Sequence, residues 1–315
     1  MDTVGITKSS NANNNPGMAL RKKRINWYEL PIKLFLVGCA LISIITTALI
    51  IFVLAKESSF FFRDVPLREF FFGTHWVPLL EPSSFGVLPL VWGTFVVTIG
   101  AALFAIPLGL ACALYLSEYA TPRVRSVVKP VLELLAGIPT VVYGYFALTF
   151  VTPVLKMVFP ETQVFNAASA SIVVGIMVLP MIASLSDNAL RAVPDSLRQG
   201  GYALGATSME VNTSVVVPSA LSGIIASFLL ALSRAIGETM AVTLAAGATP
   251  RISLDILDSI QTMTAYIVQV SLGDTPAGTT AYYTLFAVAA LLFVITLLMN
   301  ILSQWVLKRY REVYE

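Results

Sequence analysis

Six apolar runs, each long enough to cross a lipid bilayer, constrain what this chain can fold into. They extend over Pro31–Ala55, Val87–Leu116, Pro130–Leu155, Ala167–Ser186, Pro218–Ala246 and Ala281–Leu307. An α-helix rises about 1.5 Å per residue, so roughly twenty residues match a hydrocarbon core of about 30 Å. Charged residues make up 12 % of the chain, against roughly a quarter in soluble domains. A transmembrane barrel would need alternating segments of about ten residues, and the runs do not alternate. The expected fold class is an all-α polytopic membrane protein with six transmembrane helices.

Composition also narrows the chemistry. Cys39 and Cys112 both fall inside apolar runs and read as small buried hydrophobes. The single histidine, His75, stands in a loop beside Trp76, which rules out a histidine-built metal cluster. No cofactor, metal or nucleic-acid partner is expected. The chain holds no Gly-x-x-x-x-Gly-Lys-Ser/Thr loop, so a phosphate-cradling ATP site must come from another subunit if ATP supplies the energy.

Residues 1–29 form a polar tail with a basic cluster, Arg21-Lys22-Lys23-Arg24, and residues 30–315 form the transmembrane domain. The run that follows the tail is longer than the apolar part of a signal peptide, so it reads as an uncleaved first helix. The loop 56–86 carries Phe60-Phe61-Phe62, Phe70-Phe71-Phe72 and Trp76, which is the composition of a membrane interface; a receptor-docking surface is the alternative. In the second helix Ala101, Ala105, Gly109 and Ala113 recur every fourth residue and make a smooth face for close helix approach. A loop is expected over Ser117–Lys129. Pro139 should kink or break the third helix, since proline brings no N–H. Glu133, four residues after Lys129, is expected to pair with it locally. Asp255, Asp258 and Asp274 read as solvated loop carboxylates.

Basic residues set the orientation. With the N-terminus inside, fourteen Lys and Arg fall on the cytoplasmic side, five fall on the other, and Arg234 lies within a helix. The positive-inside rule then puts both termini and the polar stretch 187–217 in the cytoplasm. This stretch is too long for a simple turn. Asp195 can cap a helix from Ser196, and Gly205 can end it in the left-handed conformation. Thr207 and Glu210 have capping-box spacing for a second short helix toward Val217, and Pro218 suits the first turn of helix five. The result would be a rigid knob that fits a groove in another protein.

In the fifth helix Arg234 and Glu238 stand four residues apart, on one helical face and able to pair. Arg234 lies about 24 Å beyond Pro218 along a helix, where an ionised arginine costs at least about 2.5–3.5 kcal/mol on insertion scales. Such a charge points to a hydrated path or a substrate. Its planar fork of donors suits an oxyanion, with Glu238 holding Arg234 between passages. A buried pair that only orients helices is the plainer alternative.

Two resemblances sharpen this reading. Gln199-Gly200-Gly201, Gly205 and Val215-x-Val217-Pro218 resemble the EAA motif of ABC importer permeases, with the acidic first position absent and both alanines replaced by glycine. From about Phe85 onward, the runs Phe85–Thr94, Leu135–Gly144 and Ser233–Thr239 resemble the PstC-type permeases of bacterial high-affinity phosphate ABC importers. The long first external loop and charged tail favour that type over the PstA type. The resemblance implies a MetI-like fold and a non-catalytic permease in the cytoplasmic (inner) membrane. It implies a PstA-like second permease, a PstB-like ATPase dimer and a PstS-like phosphate receptor as partners. It also implies that Arg234 and Glu238 belong to the phosphate path, and that Gln199, Gly200, Gly201, Gly205 and Pro218 belong to the ATPase-coupling surface. A permease for sulfate or molybdate and a stand-alone carrier using Glu238 for proton coupling are the alternatives.

Overall fold

The computed structural model describes residues 29–273 and 275–310. The basic tail, apart from its last residue, and Asp274 lie outside these. The chain divides into two compact units, Met1–Phe52 and Val53–Glu315. In the first, the described residues are the opening part of helix α1 (Glu29–Asp64), with apolar side chains such as Phe35, Ile45 and Phe52 exposed. The second holds the rest.

All six apolar runs form helices long enough to cross a membrane. After the end of α1 come α2 (Leu67–Phe72) and a short antiparallel hairpin, β1 (Trp76–Val77) with β2 (Ser84–Phe85), which pairs Trp76 with Phe85. Next are α3 (Leu88–Leu114) and α4 (Pro122–Gly137). The third span is built from α5 (Thr140–Phe146) and α6 (Thr152–Val158), joined by a π-helical turn. α7 (Ala167–Arg191) is the fourth span. α8 (Asp195–Ala203) leads to the fifth, made of α9 (Ser208–Val211), a π-helical turn and α10 (Val217–Ile236). α11 (Met240–Ala245), α12 (Met263–Leu272) and the last span, α13 (Thr280–Tyr310), complete the order.

α7 is the central helix: 67 % of its apolar window is buried, against 11 % for α13. It packs most closely on α3, through the predicted small-residue face. Ala101, Ala105, Gly109 and Ala113 are all buried. A Cβ on Gly109 would sit 2.7 Å from Ile182 Cγ2, closer than van der Waals contact allows. Lipid tails are as apolar as leucine, so contact between such backbones drives association where hydrophobicity cannot.

Several boundaries differ from expectation. α1 continues to Asp64 and takes in the first aromatic triplet. The aromatic set is not wholly interfacial: Phe71 and Phe72 are exposed, whereas Phe61, Phe70 and Trp76 are at most 2 % exposed and form a core with Leu90, Met263 and Tyr266. Edge-on ring contacts, such as Phe61–Phe70 at 5.4 Å and Trp76–Tyr266 at 5.0 Å, link its members. The loop expected over Ser117–Lys129 is helical from Pro122, with the Thr121 side chain accepting the Val124 N–H at its N-cap. Of the kink or break expected at Pro139, the chain takes the break, because the residue before proline, Ile138, is driven to extended geometry (ψ 131°). α4 is thus separate from the third span.

The fifth span departs twice. The predicted second short helix does not end before Pro218. It runs straight into α10 through the π-helical turn Asn212–Val216. That wider turn lets a proline without an N–H sit in a continuous helix. At the other end the span stops at Ile236 and restarts as α11, so it does not continue unbroken to Ala246.

Candidate functional site

Arg234 occupies the last turn of α10. The register of α10 on α7 is fixed by Ser227 and Ser186, whose hydroxyls are 2.8 Å apart. Arg234, seven residues further, lies about 10 Å beyond that contact. Its side chain is exposed and lines a cavity of about 500 Å3, together with Lys129 and Glu133 of α4, Pro180 and Asp187 of α7, and Leu116. Among the described residues Arg234 makes no ion pair within 4.0 Å.

The expected Arg234–Glu238 pair does not form. The helix ends between the two residues, so four-residue spacing no longer puts them on one face. Glu238 is buried; its carboxylate accepts the Ala241 N–H at 3.2 Å, and its carbonyl accepts the Thr264 hydroxyl at 2.8 Å. Glu238 therefore fixes the break and the restart of α11 beside α12. Gly144 completes the joint: a Cβ there would meet Leu244 Cβ at 2.9 Å and Ala241 Cα at 3.1 Å. The run Leu135–Gly144 thus packs, through Gly144, on α11, the helix that directly follows the run Ser233–Thr239. The third, around Trp92–Thr94, binds the approach to α12: Trp92 Nε1 donates to Ser253 O at 2.7 Å and Thr94 Oγ1 accepts the Met263 N–H at 3.0 Å.

Lys129 is not held by Glu133. Its Nζ lies 2.6 Å from Asp187 Oδ2, and Arg191 Nε lies 2.8 Å from Asp187 Oδ1. Asp187 is fully buried, and two cations compensate its desolvation. The Arg191 partnership was legible from spacing; the Lys129 partnership was not. On the far side, Asp258 is partly exposed but not a free carboxylate. It takes Arg251 at 2.6 Å and the Gln163 amide at 2.6 Å, while Asp255 accepts the Leu257 N–H.

The segment 187–217, expected to be a docking knob, carries the two short helices α8 and α9. Asp195 falls inside the first turn of α8, so it does not act as the N-cap. At the other end Gly205 has φ +81°, and the Ala206 N–H reaches Gly201 O at 3.3 Å while the Gly205 N–H reaches Tyr202 O at 3.0 Å. This is the left-handed helix stop expected of a glycine. Thr207 and Glu210 complete the capping box, with the Thr207 N–H donating to Glu210 Oε2 at 2.7 Å. Gln199, Gly200 and Pro218 are exposed, as are Tyr202, Leu204 and Met209. Gly201 is explained by packing, since a Cβ would lie 3.0 Å from Val211 Cγ2 of α9. Nothing lies near Gly200, and the structure gives no reason for its glycine.

Arg198 fastens this pair to the spans, a role that sequence reasoning missed. Its guanidinium lies 3.1 Å from Glu118 Oε1 and 3.2 Å from Asp195 Oδ1, and it donates to Leu190 O at 2.8 Å and Val193 O at 2.5 Å. Arg125 and Arg191 donate to Leu116 O, in the π-helical turn Tyr115–Tyr119 that continues α3. Four helix ends are thereby tied into one polar knot.

The comparisons with known proteins agree with this architecture. The family model for the binding-protein-dependent transport system inner membrane component matches residues 105–312, which include the Arg234 cavity and the segment 187–217. The probable ABC transporter permease protein YqgH of Bacillus subtilis is 34 % identical over 279 residues, covering 88 % of this chain and 90 % of its own. The phosphate transport system permease protein PstC of Mesorhizobium japonicum is 33 % identical over 256 residues, covering 74 % and 76 %. Among solved structures, a bacterial ABC transporter for import of the acidic polysaccharide alginate covers 91 % of this chain and 99 % of its own, with TM-score 0.62 and 14 % identity. An inward-facing MetNI methionine ABC transporter covers 72 % and 96 %, with TM-score 0.55 and 18 % identity. At such identities the structures establish the MetI-like fold alone. The matched family model and the relatives of near full length together make this multi-pass membrane chain a member of the binding-protein-dependent transport system inner membrane component family.

Proposed function

We propose that this chain is the non-catalytic channel subunit of an ATP-driven importer that moves inorganic phosphate into the cell. The observation that carries the reading is Arg234, a guanidinium with no ion-pair partner among the described residues, facing a cavity lined by α4 and the membrane-crossing helices α7 and α10. A permanent cation at that depth is costly unless water or an anion reaches it, and its fork matches a phosphate edge. The relatives named as phosphate permeases supply the same cargo independently.

In this reading Arg234 contacts the anion, and Glu238 is a positioning residue that holds the helix break beside it. The α8–α9 pair docks on an ATPase subunit through the exposed surface around Gln199, Gly200 and Leu204, with Gly201 and Gly205 shaping it and Pro218 joining it to the span. The remaining partners are a second permease, an ATPase dimer and a phosphate-binding receptor. In this reading the protein sits in the bacterial cytoplasmic membrane, and the positive-inside count supports an orientation with the coupling segment inside the cell.

The broken fifth helix resembles the interrupted helices of secondary carriers, which keeps a stand-alone carrier as the second reading. Reconstitution separates the two. The tagged chain, co-purified with its partner subunits into liposomes, should take up phosphate only with ATP and receptor present. ATP-independent uptake by this chain alone would support the carrier, and uptake of sulfate or molybdate in place of phosphate would reassign the cargo.

A further inference from the structure

Of the two carboxylates that line the Arg234 cavity, Asp187 is ion-paired and Glu133 is left over. Its helical neighbour Lys129 is drawn across to Asp187 at 2.6 Å, and Asp187 itself is shared with Arg191. Among the described residues Glu133 makes no ion pair and no side-chain hydrogen bond, and it is exposed. It lines the same cavity of about 500 Å3 as Arg234, the guanidinium that also has no ion-pair partner. Within one cavity, then, stand a donor-only cation and an acceptor-only anion, unpaired with each other.

That combination suits one class of ligand. A guanidinium can only donate and an ionised carboxylate can only accept. A tetrahedral oxyanion that still carries a proton satisfies both, taking hydrogen bonds on its bare oxygens and giving one from its hydroxyl. Phosphate and arsenate keep at least one proton near neutral pH; sulfate keeps none. Placed in the same cavity, sulfate would bring a bare oxygen toward a carboxylate, with repulsion where phosphate gains a charge-assisted hydrogen bond.

We propose that Glu133 is a specificity-determining residue of this pathway, accepting the hydroxyl of a protonated tetrahedral oxyanion held at Arg234 and excluding fully deprotonated ones. The inference rests on the anion-path reading of Arg234 and adds to it the choice among oxyanions. Sites built to bind a substrate hydroxyl reject analogues lacking it by factors of up to about 10⁵; in a hydrated cavity the expected factor is smaller, on the order of ten to a hundred.

The test is binding of labelled inorganic phosphate to the purified permease–ATPase complex without receptor, so that the receptor's own selectivity plays no part. In the wild type, arsenate should compete and sulfate should not. Glu133→Gln, whose amide can donate to a bare oxygen, should let sulfate compete at least tenfold better and weaken phosphate, with Glu133→Ala as a second variant that removes the acceptor. Arsenate should track phosphate throughout, which a general structural defect would not ensure for one anion and not another. If both variants still exclude sulfate, or if the wild type binds sulfate as well as phosphate, the inference fails while the anion path stands. If the wild type binds phosphate and Arg234→Gln binds it equally well, the anion-path reading fails and the inference falls with it.

Discussion

Lys129 Nζ lies 2.6 Å from Asp187 Oδ2 on another helix, not on Glu133 four residues along its own. This pair joins α4 to the central helix α7 at a point where the carboxylate is fully buried. Removing the charge from Asp187 would leave two cations facing each other without a counter-ion. Lys129 and Arg191 are each about a third exposed, so Asp187→Asn should destabilise the protein by about 1–3 kcal/mol, between exposed and fully buried pairs. A lowered thermal unfolding midpoint in detergent would register it; an unchanged midpoint would show that the cluster is solvated.

The two glycines at 200 and 201 should respond differently. Gly200→Ala meets open space and replaces a poor helix former, so it should leave the protein as stable or more stable by up to about 1 kcal/mol. Gly201→Val pushes a branched side chain against Val211 and should separate α8 from α9. Gly205→Val forces a β-branched residue to φ +81°, at a cost of about 1–2 kcal/mol. Co-purification of the ATPase subunit should fall sharply with Gly201→Val and Gly205→Val.

Arg198→Lys should not replace arginine. One ammonium cannot reach Glu118, Leu190 O and Val193 O together as the planar fork does. Both Arg198 and Glu118 are mostly buried, so the loss should be on the order of 2 kcal/mol, between exposed and buried pairs. The readout is coupling: ATP hydrolysis should persist in the assembled complex while its stimulation by loaded receptor declines.

Trp76→Ala should cost about 3–5 kcal/mol, as truncation of a core aromatic does, whereas Phe72→Ala, at a position 75 % exposed, should be nearly neutral. Thermal unfolding of the two variants measures the difference. An interfacial belt would instead make both substitutions mild.

The features legible in the sequence are those whose cause is local. Six spans follow from the length and hydropathy of each run, and the small face of α3 follows from spacing alone. Gly205 and the Thr207–Glu210 box were readable because backbone conformation and capping depend on near neighbours. The break after Ile236 was not, since a single glycine in an apolar run is well tolerated in membrane helices. Lys129 was assigned to Glu133 because proximity in sequence was the only guide; burial of Asp187 decides otherwise. The aromatic triplets carried an interfacial composition, yet partners on α12 and α13 turn Phe61 and Phe70 into a core. Gly201 looked like a departure from a motif until Val211 appeared opposite it.

Arg234 remains the residue on which the account depends. The most direct measurement is ATP-driven phosphate uptake by the reconstituted complex carrying Arg234→Gln, with assembly checked by co-purification. Loss of uptake by at least about a hundredfold in an intact complex is the predicted result. Wild-type uptake kinetics in that complex would contradict it.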